Sequence, residues 1–212
     1  MSALSRKYKD YFSQREFRRE CIKAALLLIV SIVVNFYAGL YATARASNSV
    51  SDIILSNLPV YNIDGTFIWA TFAFWAFVVL LCLTEPKRIP FVLNAIATFT
   101  IIRSGFISLT HLGPYPTQTA IDSYILSFFV FDADLFFSGH TGMPFLFALM
   151  FWEERVLRYL FVAMALAFGT IVLLAHLHYS IDVASAFFIT YTIYHIVQYL
   201  FPKDKILFEK GL

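Results

Sequence analysis

The chain carries six apolar runs, near residues 22–43, 66–84, 90–112, 139–153, 158–177 and 179–201. Most approach the ~20 residues a helix needs to cross a bilayer. Six runs in 212 residues leave little room for anything else, so the expected fold is all-α, a polytopic membrane protein with six transmembrane helices. Composition agrees: 59% of residues are hydrophobic and only 14% charged, too apolar for one soluble domain.

The connections EPKRIP and EERVLR are short and charged, whereas 44–65 and 113–138 carry the Gly, Pro, Asn and Ser of loops. Ahead of the first run lies the polar stretch SRKYKDYFSQREFRRE, which has no cleavage site ending a short core and reads as an amphipathic helix on the membrane surface. The expected organisation is an amphipathic cytoplasmic segment over 1–21, a six-helix membrane domain over 22–201 and a cytoplasmic tail over 202–212. With both termini inside, 14 of the 16 Lys and Arg residues are cytoplasmic, and only Arg45 and Arg103 lie at or near the outer boundary. A net charge of +2 spread by topology gives no nucleic-acid groove. Cys21 and Cys82, in or beside apolar runs, suggest neither a disulfide framework nor a zinc site.

Against this background LLAHLHYSIDVAS, residues 173–185, stands out. An ionisable side chain at membrane depth is costly unless it faces protein or water, which makes it functional by default. His178 and Asp182 are four apart and share a helical face, so the carboxylate can hold one ring nitrogen and leave the other free as base or nucleophile. The plainer alternative is a His–Asp pair pinning two helices. His176 falls on another face unless the helix breaks. A metal site from His176, His178 and Asp182 therefore needs a non-helical HxH, so neither a metal nor a cofactor is expected.

A second polar island is DADLFFSGHTGMPF, residues 132–145. Ser138, Gly139 and His140 precede the apolar part of span four, where free N–H groups and the helix dipole favour an anion and glycine permits close approach. Pro144 leaves two geometries open. Ser138 is the N-cap with the proline past the first turn, or the helix starts near Met143 with His140 in the preceding loop. Arg103 in span three needs an anionic partner: a phosphoryl group, or an ion pair with Asp134 or Asp182. Topology puts His140 and His178 near the outer face, and the shortness of span four recesses His140 beneath it.

FSGHT followed by HYSID resembles the phosphatidic acid phosphatase type 2 superfamily, and DLFFSGHT with AHLHYSIDVASAFFITY is more similar to its sphingomyelin synthase branch. DIILSNLP at 52–59 and IIRS at 101–104 also resemble that branch. The superfamily's lysine-and-arginine first motif is missing, as is the Ser-Arg opening of its third, where Ile171 and Val172 stand. The resemblance implies a nucleophile at His178 supported by Asp182, with His140 protonating the leaving oxygen. Arg103, Ser138, Gly139, Asp134 and Tyr179 are then the expected substrate-binding residues. The substrate it implies is a membrane phospholipid, attacked at phosphorus to give a phosphohistidine. The phospho-headgroup then passes to a ceramide- or diacylglycerol-like alcohol or to water, at the exoplasmic or periplasmic leaflet.

Hydrolysis alone, as in a simple lipid phosphate phosphatase, is one alternative. A noncatalytic transporter or lipid-binding protein is another, since polar intramembrane residues also mark transport paths. An intramembrane serine protease is disfavoured, because GxSG is absent and Ser138 adjoins its histidine in sequence instead of meeting it across helices. The motifs do not assign His176 or His111.

Overall fold

A computed structural model describes residues 3–119 and 134–211. The stretch 120–133, within the second long loop, lies outside them. Among the described residues all regular structure is helical: α1 (Ala3–Ser13), α2 (Arg15–Arg45), α3 (Asp64–Thr84), α4 (Ile89–Leu109), α5 (Gly139–Met150), α6 (Arg155–Leu174), α7 (Ser180–Leu200) and α8 (Pro202–Lys210), with 3₁₀ turns at Leu55–Asn57 and Pro86–Arg88. Helices α2, α3, α4, α6 and α7 are each long and apolar enough to cross a membrane. This is a multi-pass membrane protein. Apolar side chains such as Trp69, Val79, Leu166 and Phe188 stay exposed on these helices, as lipid-facing surfaces require.

The fourth expected span is α5, and it differs from the other five. Its 12 residues rise about 18 Å, short of the ~30 Å hydrocarbon core. It stops at Met150, where the chain turns before Glu153 and Glu154. Helix α5 packs on α6 and α7 and touches α4, while α2 lies along α4. Gly142 permits this depth, because a Cβ there would stand 2.7 Å from Thr190 Oγ1 and 2.9 Å from Phe99 Cζ. Phenylalanines fill the centre, with Phe74, Phe147, Phe151 and Phe161 in edge and stacked contacts at centroid distances of 5.3–6.3 Å.

Proline marks several helix starts, where its missing N–H costs nothing: Pro86, Pro90 and Pro202 each stand at a first or second helical position. The first long helix begins at Arg15, seven residues before its apolar run, because the charged turns simply continue the helix beyond the greasy part. Preceding it, α1 turns Phe12 onto Phe17 (5.1 Å) and Tyr8 onto the Leu83 carbonyl (3.0 Å).

One end of the bundle gathers both termini. There Lys7 pairs with Glu85, Arg88 with Glu154 (3.1 Å), Lys87 donates to the Glu209 carbonyl (2.9 Å) and Asn94 to Asp204 (2.8 Å). The other end is tied by loops. Ser47 donates to the His111 carbonyl through both backbone and side chain, joining the ends of α2 and α4, and the His111 ring lies 5.6 Å from Tyr41. Tyr61 and Thr119 donate backbone N–H groups to the last carbonyls of α6, at Leu174 (2.9 Å) and Ala175 (3.1 Å).

Candidate active site

The loop end carries both polar islands. Helix α6 stops in a Schellman motif: Leu177 N–H bonds the Val172 carbonyl (2.8 Å) and His176 N–H the Leu173 carbonyl (3.1 Å), while Leu177 packs with Val172. His176 takes the left-handed position of that motif, with φ 54°, a place usually held by glycine. Its ring is held by Thr117 at Nδ1 (2.5 Å) and the Leu58 carbonyl at Nε2 (3.2 Å). Both nitrogens of His176 are thus engaged away from His178. Among the described residues no three His, Cys, Asp or Glu side chains form a group able to hold a metal ion.

The same turn changes how His178 meets Asp182. They do not share a helical face, because α7 begins only at Ser180 and His178 lies in the loop before it. Asp182, in the first turn, folds back so that Oδ2 accepts the Tyr179 N–H (2.9 Å) and stands 3.5 Å from His178 Nδ1. That separation is ion-pair range but longer than a good hydrogen bond. His178 Nδ1 and Asp182 Oδ1 are buried and have no other hydrogen-bond partner in the protein. Catalytic hydrogen bonds are often this long before substrate arrives.

Ser138 is the N-cap of α5, its Oγ accepting from Thr141 N (3.3 Å) and Thr141 Oγ1 (3.2 Å). Of the two geometries left open by Pro144, this is the one with the proline inside the helix. Pro144 has no N–H to offer the His140 carbonyl four residues back. Gly139 and His140 supply first-turn N–H groups that no intrahelical carbonyl can reach. Ser138 N–H bonds the Asp182 carbonyl (3.1 Å), which locks the two islands together. His140 lies against Phe67 (4.6 Å), and its ring centroid is 6.4 Å from that of His178.

Arg103 and Asp134 are buried together. Arg103 Nη1 meets the Asp134 carboxylate at 2.7 and 2.9 Å, Nη2 donates to the Asp134 carbonyl (3.1 Å) and Nε to the Phe137 carbonyl (2.7 Å). The guanidinium therefore fastens the strand of chain leading into Ser138. A Cβ on Gly139 would stand 3.0 Å from Arg103 Nε, so glycine lets α5 begin against this clamp. Tyr179 is buried, with its hydroxyl donating to the Gly113 carbonyl (2.8 Å) and accepting from Val50 N–H (3.2 Å). The structure thus brings His140, His178, Asp182, Ser138 and Gly139 together. It leaves Arg103 on Asp134 and the Tyr179 hydroxyl on loop backbone.

One residue of the site was missed by the sequence reading. Asp52 Oδ2 accepts the Ser180 N–H (2.7 Å) across 128 positions, and Oδ1 accepts Ile54 N–H (2.8 Å) and Leu55 N–H (3.1 Å). Burial alone would raise its pKa, but the backbone hydrogen bonds from Ser180, Leu55 and Ile54 outweigh it and hold the carboxyl below its ordinary range. Asp52 caps α7 two residues beyond His178, where a negative charge also suits the helix dipole. The local signal is an Asp followed at two and three residues by N–H groups it can capture. Nothing local points to Ser180.

Both histidine motifs fall within one family match. The family model described as PAP2 superfamily C-terminal matches residues 133–199, the segment from the approach to Ser138 almost to the end of α7. Over this segment the chain is similar to the PAP2 superfamily. The match supports a membrane enzyme of the lipid phosphatase or phosphotransferase type. Comparison with curated proteins found no match, and comparison with solved structures found none. The PAP2 segment contains His140, His178 and Asp182, whereas Arg103 and Asp52 come from outside it.

Proposed function

We propose that this chain is a sphingomyelin synthase-like phosphotransferase of the PAP2 superfamily, working by double displacement. The reading is carried by the two rings standing 6.4 Å apart with a carboxylate behind one of them. A phosphoryl group seated against both rings meets one at phosphorus and the other at its leaving oxygen. Near-attack distance is about 3–3.5 Å from nitrogen to phosphorus, and a leaving oxygen sits about 2.6–3.2 Å from its proton donor.

Asp182 lies nearest Nδ1 of His178, so Nδ1 carries the proton and Nε2 is the nucleophile. Nε2 attacks phosphorus, the bond from phosphorus to the lipid oxygen breaks, and His140 gives its proton to the departing alkoxide. Asp182 stabilises the positive charge of the phosphorylated ring. His140, now neutral, takes the proton of an incoming lipid hydroxyl or water, whose oxygen displaces Nε2 and restores the enzyme. The first-turn N–H groups of Gly139 and His140 receive the phosphoryl oxygens, while Arg103, clamped on Asp134 and the Phe137 carbonyl, holds in place the chain that carries them. Both termini are cytoplasmic and the site faces the exoplasmic leaflet. The grouping of 14 of 16 basic residues away from the site supports this orientation.

The test is covalent labelling by a phosphorus-labelled phospholipid, with products followed by lipid mass spectrometry in the presence of ceramide, diacylglycerol or neither. His178→Ala abolishes both label and turnover, and activity of the wild type persists after EDTA and dialysis. Asp182→Asn slows turnover severely with the fold intact, because the ring is held in the wrong tautomer. His140→Ala still labels His178 from an ester with a good leaving group but reacts poorly with natural lipids. Label on His140 that survives His178→Ala reverses the roles. Full activity in both histidine variants refutes the mechanism.

A further inference from the structure

Two loops meet at the loop end of the bundle, one following α2 (46–61) and one following α4 (110–119). They are joined edge to edge. Ser47 N–H bonds the His111 carbonyl (2.8 Å), Gly113 N–H the Asn48 carbonyl (3.3 Å), and the hydroxyls of Ser56 and Tyr115 bond each other (3.1 Å). The seam needs glycine at 113. A Cβ there would run into the Ser47 carbonyl oxygen and stand 3.0 Å from the Asn48 carbonyl carbon, and both are backbone that cannot swing aside. The residues just after His178 anchor the joined loops. The Tyr179 hydroxyl donates to the Gly113 carbonyl on one loop (2.8 Å) and accepts the Val50 N–H on the other (3.2 Å), so a single hydroxyl bridges the seam. Asp52 holds the Ser180 N–H (2.7 Å). Beneath the seam Leu55 and Leu135 pack on Tyr179, with Leu112 and Tyr115 around them. Under this apolar underside His178 is 5% exposed, and Asp182 and Ser138 are wholly buried.

In the mechanism proposed above, the phosphohistidine is discharged when an oxygen attacks phosphorus, the bond from phosphorus to Nε2 breaks and His140 takes the proton of the entering hydroxyl. That step is the same for water and for a lipid alcohol. Water is far the more abundant, so transfer needs a site from which water is kept out. We infer that the two-loop roof supplies this exclusion, and that Tyr179 and Gly113 are the positioning residues that keep it shut. With the roof closed the phospho-headgroup passes to a lipid alcohol, and with the seam parted it passes to water. The inference rests on the phosphohistidine reading and adds what chooses between its two acceptors. The residue that latches the roof is the chain neighbour of the nucleophile, so closing the seam and seating His178 are one event.

The experiment has two arms. In the first, full-length protein lacking Cys21 and Cys82 and carrying His178→Cys is treated in phosphatidylcholine vesicles with a small charged thiosulfonate. No turnover is needed. Reaction is expected to be slow, and about tenfold faster once Gly113→Ala or Tyr179→Phe is added, the weight of about one lost hydrogen bond. Gly105→Ala, where a new Cβ meets nothing within 4 Å, leaves it slow. In the second arm, protein with His178 intact receives a phospholipid labelled in its phosphate, in vesicles holding ceramide and diacylglycerol and in heavy-oxygen water. Released phospho-headgroup carrying heavy oxygen counts hydrolysis, and label in a new lipid counts transfer. Gly113→Ala, Tyr179→Phe and Tyr115→Phe each raise the ratio of hydrolysis to transfer about tenfold. An equal fall in both products, with the ratio unchanged, is what a merely structural role gives and overturns the inference. Thiol reaction that the variants do not speed overturns it too, as does a wild type that only hydrolyses. Roof-dependent thiol reaction in a protein whose wild type forms no phosphohistidine sinks the histidine mechanism instead, so the two failures are distinguishable.

Discussion

Asp52→Asn tests whether a remote carboxylate sets the position of His178. Asp52 is 7% exposed, and its two oxygens accept three backbone N–H groups, those of Ser180, Ile54 and Leu55. Asparagine keeps one acceptor. If that oxygen stays with Ile54 and Leu55, the amide N–H₂ faces the Ser180 N–H, donor against donor. Loss of one hydrogen bond to a charged acceptor amounts to about 1.5–3 kcal/mol, which is roughly 10- to 150-fold if all of it appears as misplacement of His178 in the transition state. The assay is kcat/KM for phosphoester cleavage beside the melting temperature. The expected result is a fall of this size carried mainly by kcat, with slower phosphorylation of His178. The carboxyl is held below its usual range in the folded protein, so its contribution is complete above the unfolded value near ~3.9 and lost as pH falls through the lower folded value. Wild type and Asn variant therefore differ throughout neutral pH and converge in strong acid. An Asn variant with wild-type kcat/KM refutes the positioning role, and so does a loss confined to the melting temperature.

Other consequences can be checked singly. Gly142→Ala forces a Cβ against Thr190 and Phe99, and is expected to destabilise by about 1–3 kcal/mol in thermal or denaturant melts. His176→Gly removes the ring contacts to Thr117 and Leu58 but relieves a positive φ. These terms are of similar size, about 1–3 kcal/mol each, so turnover should stay within about tenfold of wild type, far from the total loss expected for His178→Ala. Sidedness is read by cysteine labelling in protein lacking Cys21 and Cys82. Ser49→Cys should react with an impermeant reagent from outside and Lys203→Cys only from inside, and the reverse pattern moves the site to the inner leaflet.

The residues that make this a helical membrane protein announce themselves in order along the chain. Apolar runs such as 66–84 and 158–177 have one low-energy solution in a bilayer, the helix, because it closes every backbone hydrogen bond within the run. The histidines and Asp182 were equally legible, because charge at membrane depth is conspicuous against phenylalanine and leucine. Their geometry was not. Helical spacing suggested a shared face for His178 and Asp182, yet the contact arises from a Schellman turn that ends α6 and an aspartate that folds back over the start of α7. A helix end depends on what receives its last carbonyls, and here Tyr61 and Thr119 do so from other loops. The 12-residue α5 survives only because surrounding helices bury it. Arg103 was recognisable as a buried charge needing an anion, but its fork onto Asp134 and the Phe137 carbonyl follows from where the chain enters α5. Asp52 was least legible of all: its partner at Ser180 is 128 residues away. Periodicity and polarity report on one element at a time, whereas the site is made where the ends of four helices meet, and packing of the bundle alone decides which ends those are.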